Sequence, residues 1–83
     1  KFIANRNKEL TAMTEAVDQS DFETVRKMAH GMKGVSGSYG FSAMTVIATR
    51  LEEAAKAGDE RSIRTDLPVL ASYLERVKIV YEE

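Results

Sequence analysis

Apolar residues recur along this chain at helical spacing in four successive segments. The first runs from about Phe2 to Val17, with Ile3, Leu10, Met13 and Val17 on one face. The second runs from about Asp21 to Tyr39, where Phe22, Val25, Ala29, Met32, Ser36 and Tyr39 step by 3, 4, 3, 4 and 3. Ser20 followed three residues later by Glu23 has the spacing of a capping box at its start, and Gly40 can close it as a left-handed cap. The third spans about Ser42 to Ala57 with a stripe of Met44, Ile47, Ala48, Leu51 and Ala55, and Gly58 is its natural stop. The fourth runs from Asp59 or Glu60 to Tyr81 through Ile63, Leu67, Leu70, Leu74, Val77 and Tyr81. Asp59 and Glu60 suit the positive end of that helix. Pro68 lies inside it and predicts a kink, or a break with Asp66 capping the second half.

The connectors Asp18 to Ser20, Gly40 to Phe41, and Gly58 to Asp59 are short, and short links make sequential helices antiparallel neighbours. The expectation is all-α: an antiparallel, up-down four-helix bundle forming one domain over residues 1–83.

Composition narrows the function classes. With no cysteine, disulfides and thiolate metal sites are excluded, which fits a reducing, cytoplasmic setting. Twelve basic and thirteen acidic residues give a net charge of −1, without the basic excess that nucleic-acid binding favours. No apolar run reaches membrane-spanning length, and no signal-peptide pattern opens the chain. The first residue is Lys and not Met, which reads as a trimmed or partial chain.

The chemistry centres on the one histidine, His30. A lone histidine on a helix is more often an ordinary surface or core residue than a site. At about 100° per residue, however, Val25, Ala29, Met32 and Ser36 cluster on one face, and His30 points roughly 130° away from its centre. That places it on the solvent side. Histidine changes charge closest to neutral pH, and a neutral imidazole is a competent nucleophile.

Gly34 and Gly37 follow at four and seven residues, on the same exposed face. With Gly31, three glycines inside a helix cost roughly 3 kcal/mol relative to alanine, in a domain whose stability is about 5–15 kcal/mol. Missing side chains beside His30 would let another protein come close. Tight packing against a neighbouring helix is the plainer reading, but it suits buried glycines better than exposed ones. Lys33 lies one turn after His30, Lys27 one turn before, and Arg26 close by. Cations stabilise the charge a phosphohistidine carries, though three basic residues alone describe many solvated faces. The glycine run lacks both the Walker A spacing and the strand-then-G-x-G-x-x-G pattern of a dinucleotide loop. No H-E-x-x-H or H-x-x-E-H metal spacing occurs.

The run Ala29-His30-Gly31-Met32-Lys33-Gly34 resembles the H-x-[LM]-K-G core of bacterial histidine-phosphotransfer (HPt) domains. The similarity continues through Ser36, Gly37, Tyr39, Gly40 and Phe41, then Leu51-Glu52, Ala54-Ala55 and Gly58-Asp59. The opening Phe2-Ile3-Ala4-Asn5-Arg6 is like that of some members. Val35 departs from the pattern, since many members carry a small residue there; its place near the edge of the buried stripe predicts local repacking.

The resemblance implies a phosphoryl carrier without its own ATP site, not an enzyme with a substrate pocket. By that likeness His30 is the phosphoryl acceptor and Lys33 lies beside the phosphoryl group. Gly34 and Gly37 form the docking floor, with Gly31, Arg26 and Lys27 on the same docking surface. The partners implied are receiver domains of response regulators or of a hybrid histidine kinase. The cofactor line is none for this chain, with Mg²⁺ held by the receiver. No nucleic acid or membrane contact is implied, and polar outer faces make a monomer the default. The alternatives are an HPt-like adaptor that is never phosphorylated, and the phosphoacceptor domain of a chemotaxis-type histidine kinase.

Overall fold

A computed structural model describes residues 2–81, with side chains described over 3–78; residues 1, 82 and 83 of the expected single domain lie outside the described residues. Four helices follow one another: α1 (Phe2–Asp18), α2 (Phe22–Tyr39), α3 (Ser42–Lys56) and α4 (Glu60–Tyr81). Each packs on its neighbours in the chain, and α4 closes back on α1. Among the described residues no diagonal pair of helices brings its Cα atoms within 8 Å, so the four form a ring around one core. The all-α antiparallel bundle is therefore what the chain adopts.

The three reversals are built alike. Ser20, Gly40 and Gly58 each take a left-handed conformation (φ 58°, 79° and 66°). The next residue's N–H then reaches back five positions: Asp21 to the Ala16 carbonyl at 2.8 Å, Phe41 to Ser36 at 2.9 Å, Asp59 to Ala54 at 2.8 Å. This is the Schellman closure of a helix end. Asp21, Phe41 and Asp59 then open the following helices directly. The Asp21 carboxylate accepts from the Thr24 backbone N–H at 3.2 Å and from its hydroxyl at 2.6 Å. Asp59 does the same for Ser62 at 3.1 and 2.7 Å.

This geometry corrects the expected capping box. Ser20 is spent on ending α1, so the N-cap passes to Asp21, and Glu23 turns to Arg26 instead. Two further expectations need correction. Tyr39 is 64% exposed and not part of the buried stripe, because it is the last residue of α2 and meets the reversal at Gly40 where the core ends. Val35 is exposed, so its departure from the family pattern involves no repacking of the core.

The remaining stripes bury as their spacing predicts. Met13, Met32, Met44, Leu51, Ile63, Leu70 and Leu74 are fully enclosed, and Leu10 and Phe22 are half-buried against them. Tyr81 lies outside the residues whose side chains are described. α4 runs without a break through Pro68, which sits on its exposed side. Asp66 does not cap a second half; it is buried and pairs with Arg50 across the α3–α4 contact.

Candidate functional site

His30 stands at the middle of α2, its side chain 65% exposed, because the apolar stripe that anchors the helix leaves it on the outer side. Residue 52 of α3 meets it. Glu52 occupies a position within the α3 stripe, between Leu51 and Ala55, and is buried. A buried carboxylate needs partners, and α2 supplies them. Glu52 Oε2 lies 2.8 Å from His30 Nδ1, and Glu52 Oε1 accepts from Lys33 Nζ at 2.7 Å. Lys56, one turn further along α3, brings its ammonium to 3.9 Å.

The hydrogen bond from Lys33, then that from His30, hold the Glu52 carboxyl down to about 2, against burial, which acts the other way. Glu52 is therefore ionised at neutral pH and offers only acceptors. The imidazole must donate from Nδ1. In the neutral ring the lone pair then sits on Nε2, the nitrogen away from Glu52. One buried residue thus selects the tautomer of an exposed one.

The glycines carry no internal duty that a larger residue would violate. A Cβ added at Gly31, Gly34 or Gly37 meets nothing within 4 Å, so tight helix packing does not explain them. They leave the surface beside His30 low and open. Among the other residues singled out by sequence, Lys33 joins the histidine through Glu52. Arg26 is engaged with Glu23 at 2.6 Å, and Lys27 is exposed; neither is drawn into the Glu52 hydrogen bonds.

Glu52 was the residue missed. The family resemblance ran through Leu51-Glu52 without giving it a part. The available signal was a glutamate one helical turn after Ala48 and three residues before Ala55, inside an apolar stripe.

Among the described residues no group of three or more His, Cys, Asp or Glu side chains could hold a metal. No described helix is long and apolar enough to cross a membrane.

An exposed histidine on the second helix of a four-helix bundle, held by a buried carboxylate, defines a histidine-bearing helical module. The Hpt domain family model matches residues 1–79, and the chain belongs to that family. It is accordingly a phosphotransfer-type, histidine-containing module of two-component phosphorelays, and the family implies interaction with receiver domains. No curated protein and no solved structure matches it.

Proposed function

We propose that this chain carries a phosphoryl group on Nε2 of His30 between receiver-domain aspartates. The observation that supports this most is the pairing of a solvent-facing Nε2 with a Glu52-bound Nδ1. In the uptake step Nε2 attacks the phosphorus of a receiver's aspartyl phosphate. The new N–P bond forms as the P–O bond to the aspartate breaks, and the aspartate leaves as a carboxylate. The ring keeps its Nδ1 proton and gains positive charge, which the ionised Glu52 opposes at 2.8 Å. Delivery to a second receiver is the same step reversed.

Positioning and electrostatics do most of the work in phosphoryl transfer. Lys33 supplies a cation one turn from His30, 34% exposed and able to turn from Glu52 toward the phosphoryl oxygens. The Mg²⁺ that such a transfer uses belongs to the receiver. Gly34 and Gly37 provide the open floor on which the receiver sits, with Gly31, Arg26 and Lys27 at its margin. The domain works as a monomer in the cytoplasm under this reading.

The test is transfer of labelled phosphate from a panel of phosphorylated receiver domains to the wild type and to His30→Gln. Acid-labile, base-stable label on the wild type alone is the expected result. Label on the variant sinks the assignment of His30. No label on folded wild type from any receiver points to the adaptor or to a kinase-fed acceptor.

A further inference from the structure

Two turns along α2 from His30, the surface changes character. A shallow cleft opens between the end of α2 and the start of α3, lined by Gly37, Gly40, Ser42, Thr45 and Val46. No charged side chain lines it. The Thr45 hydroxyl donates to the Phe41 carbonyl at 3.1 Å, so its hydrogen-bonding capacity is turned inward. Val46 forms the outer wall and is 54% exposed, the most exposed aliphatic side chain among the large hydrophobics described. A Cβ at Gly37 or Gly40 would stand in open space, so none of the described residues fills the cleft there.

We propose that this cleft receives an apolar side chain from the docking surface of the receiver domain, and that Val46 is a specificity-determining contact. The proposal rests on the phosphotransfer reading and extends it. A receiver has to centre its aspartate on His30. A transient interface that buries roughly 600 Å² per partner covers a disc of roughly 14 Å radius. Gly37 is seven residues from His30, about 10 Å along the helix and on the same face, so the near edge of the cleft falls inside that footprint. The other end of the face carries Lys27 and Arg26, and His30, Lys33 and Lys56 lie around Glu52. The footprint therefore has a charged half, which holds the phosphoryl group, and an apolar half. Charge steers an encounter, whereas well-enclosed apolar contacts near the core of an interface supply most of its affinity. Val46 and the cleft supply an apolar feature that a receiver centred on His30 could enclose.

The experiment compares wild type, Val46→Glu, Val46→Ile and Val69→Glu, each checked by circular dichroism for an intact helical fold. Val69, exposed on α4, serves as a control away from His30. Each is labelled by a panel of phosphorylated receiver domains, and separately by phosphoramidate, a small donor that needs no docking. The expected result is a loss of about tenfold or more in receiver-driven kcat/KM for Val46→Glu, carried by KM. Phosphoramidate labelling stays unchanged, Val46→Ile retains transfer, and Val69→Glu behaves as wild type. Equal receiver-driven rates for Val46→Glu and wild type overturn the cleft while leaving the carrier reading intact. An equal loss with both donors also overturns it, because the effect then lies at His30. Absence of receiver-driven label on the wild type overturns the carrier reading and the cleft together.

Discussion

Glu52, buried on α3, holds Nδ1 of the exposed His30 on α2 at 2.8 Å and Nζ of Lys33 at 2.7 Å with its other oxygen. Both polar groups of the HPt signature are thus tied to one carboxylate from the neighbouring helix. Three experiments at this site and one away from it test what the arrangement does.

Glu52→Gln removes the ionised acceptor behind the imidazole and frees the ring to place its proton on either nitrogen. Phosphoryl uptake at His30 from phosphoramidate should slow by about tenfold, the equivalent of losing about 1.5 kcal/mol of charge-assisted hydrogen bonding in the reactive state. Single-turnover labelling measures the rate. Nitrogen NMR of the ring shows whether the Nδ1–H preference is lost with it. An unchanged rate together with a changed tautomer would separate the contact from the chemistry.

The same carboxylate makes stability depend on acid. Its folded value of about 2 lies below the ordinary 4.5, so the folded state favours the ionised form more than the unfolded chain does. That contribution is complete above about 4.5 and is lost as pH falls toward about 2. Urea unfolding at a series of pH values should show wild type losing its stability advantage over Glu52→Gln across this range. A difference that stays constant with pH would mean that Glu52 gains nothing from Lys33 and His30.

The α2 glycines should trade stability for access. Gly31→Ala, Gly34→Ala and Gly37→Ala each add a Cβ into open space on a helix and should raise stability by about 0.5–1 kcal/mol. Gly40→Ala should do the reverse, by about 1 kcal/mol, because φ is +79° there. Gly34→Glu should fold yet block transfer from a receiver by bulk and charge, while phosphoramidate labelling persists. Thermal melts and paired labelling assays check both halves.

Arg50 and Asp66 form a structural tie remote from the chemistry. Asp66 is 7% exposed, and Arg50 of α3 is its donor. Arg50→Met should destabilise the bundle by about 1 kcal/mol, a value kept low because Arg50 is itself half exposed. Phosphoryl uptake by the folded fraction should be unaffected.

The sequence by itself determined the four helices, their order and most of the core. A 3.6-residue stripe has one way to hide its apolar side, and three short reversals with two glycines leave little freedom in topology. The exposure of His30 and the open face beside it were legible for the same reason: facing is a property of one helix, fixed by its own spacing. Where neighbouring segments compete, local reading failed. Ser20 matched a capping box, but ending α1 claimed it first, and Asp21 capped α2. Tyr39 kept the period of its stripe and still faced solvent, since the period does not say where the core ends.

Only the tertiary structure decided what His30 touches. Glu52 is 22 residues away in the chain, and nothing in the spacing within either helix aligns the two. Their meeting depends on the rotation and register of α3 against α2 in the shared core, to which Ala29 and Met32 of α2 and Ala48 and Leu51 of α3 belong. That register turns an unplaced glutamate into the group that sets which ring nitrogen of His30 carries the proton.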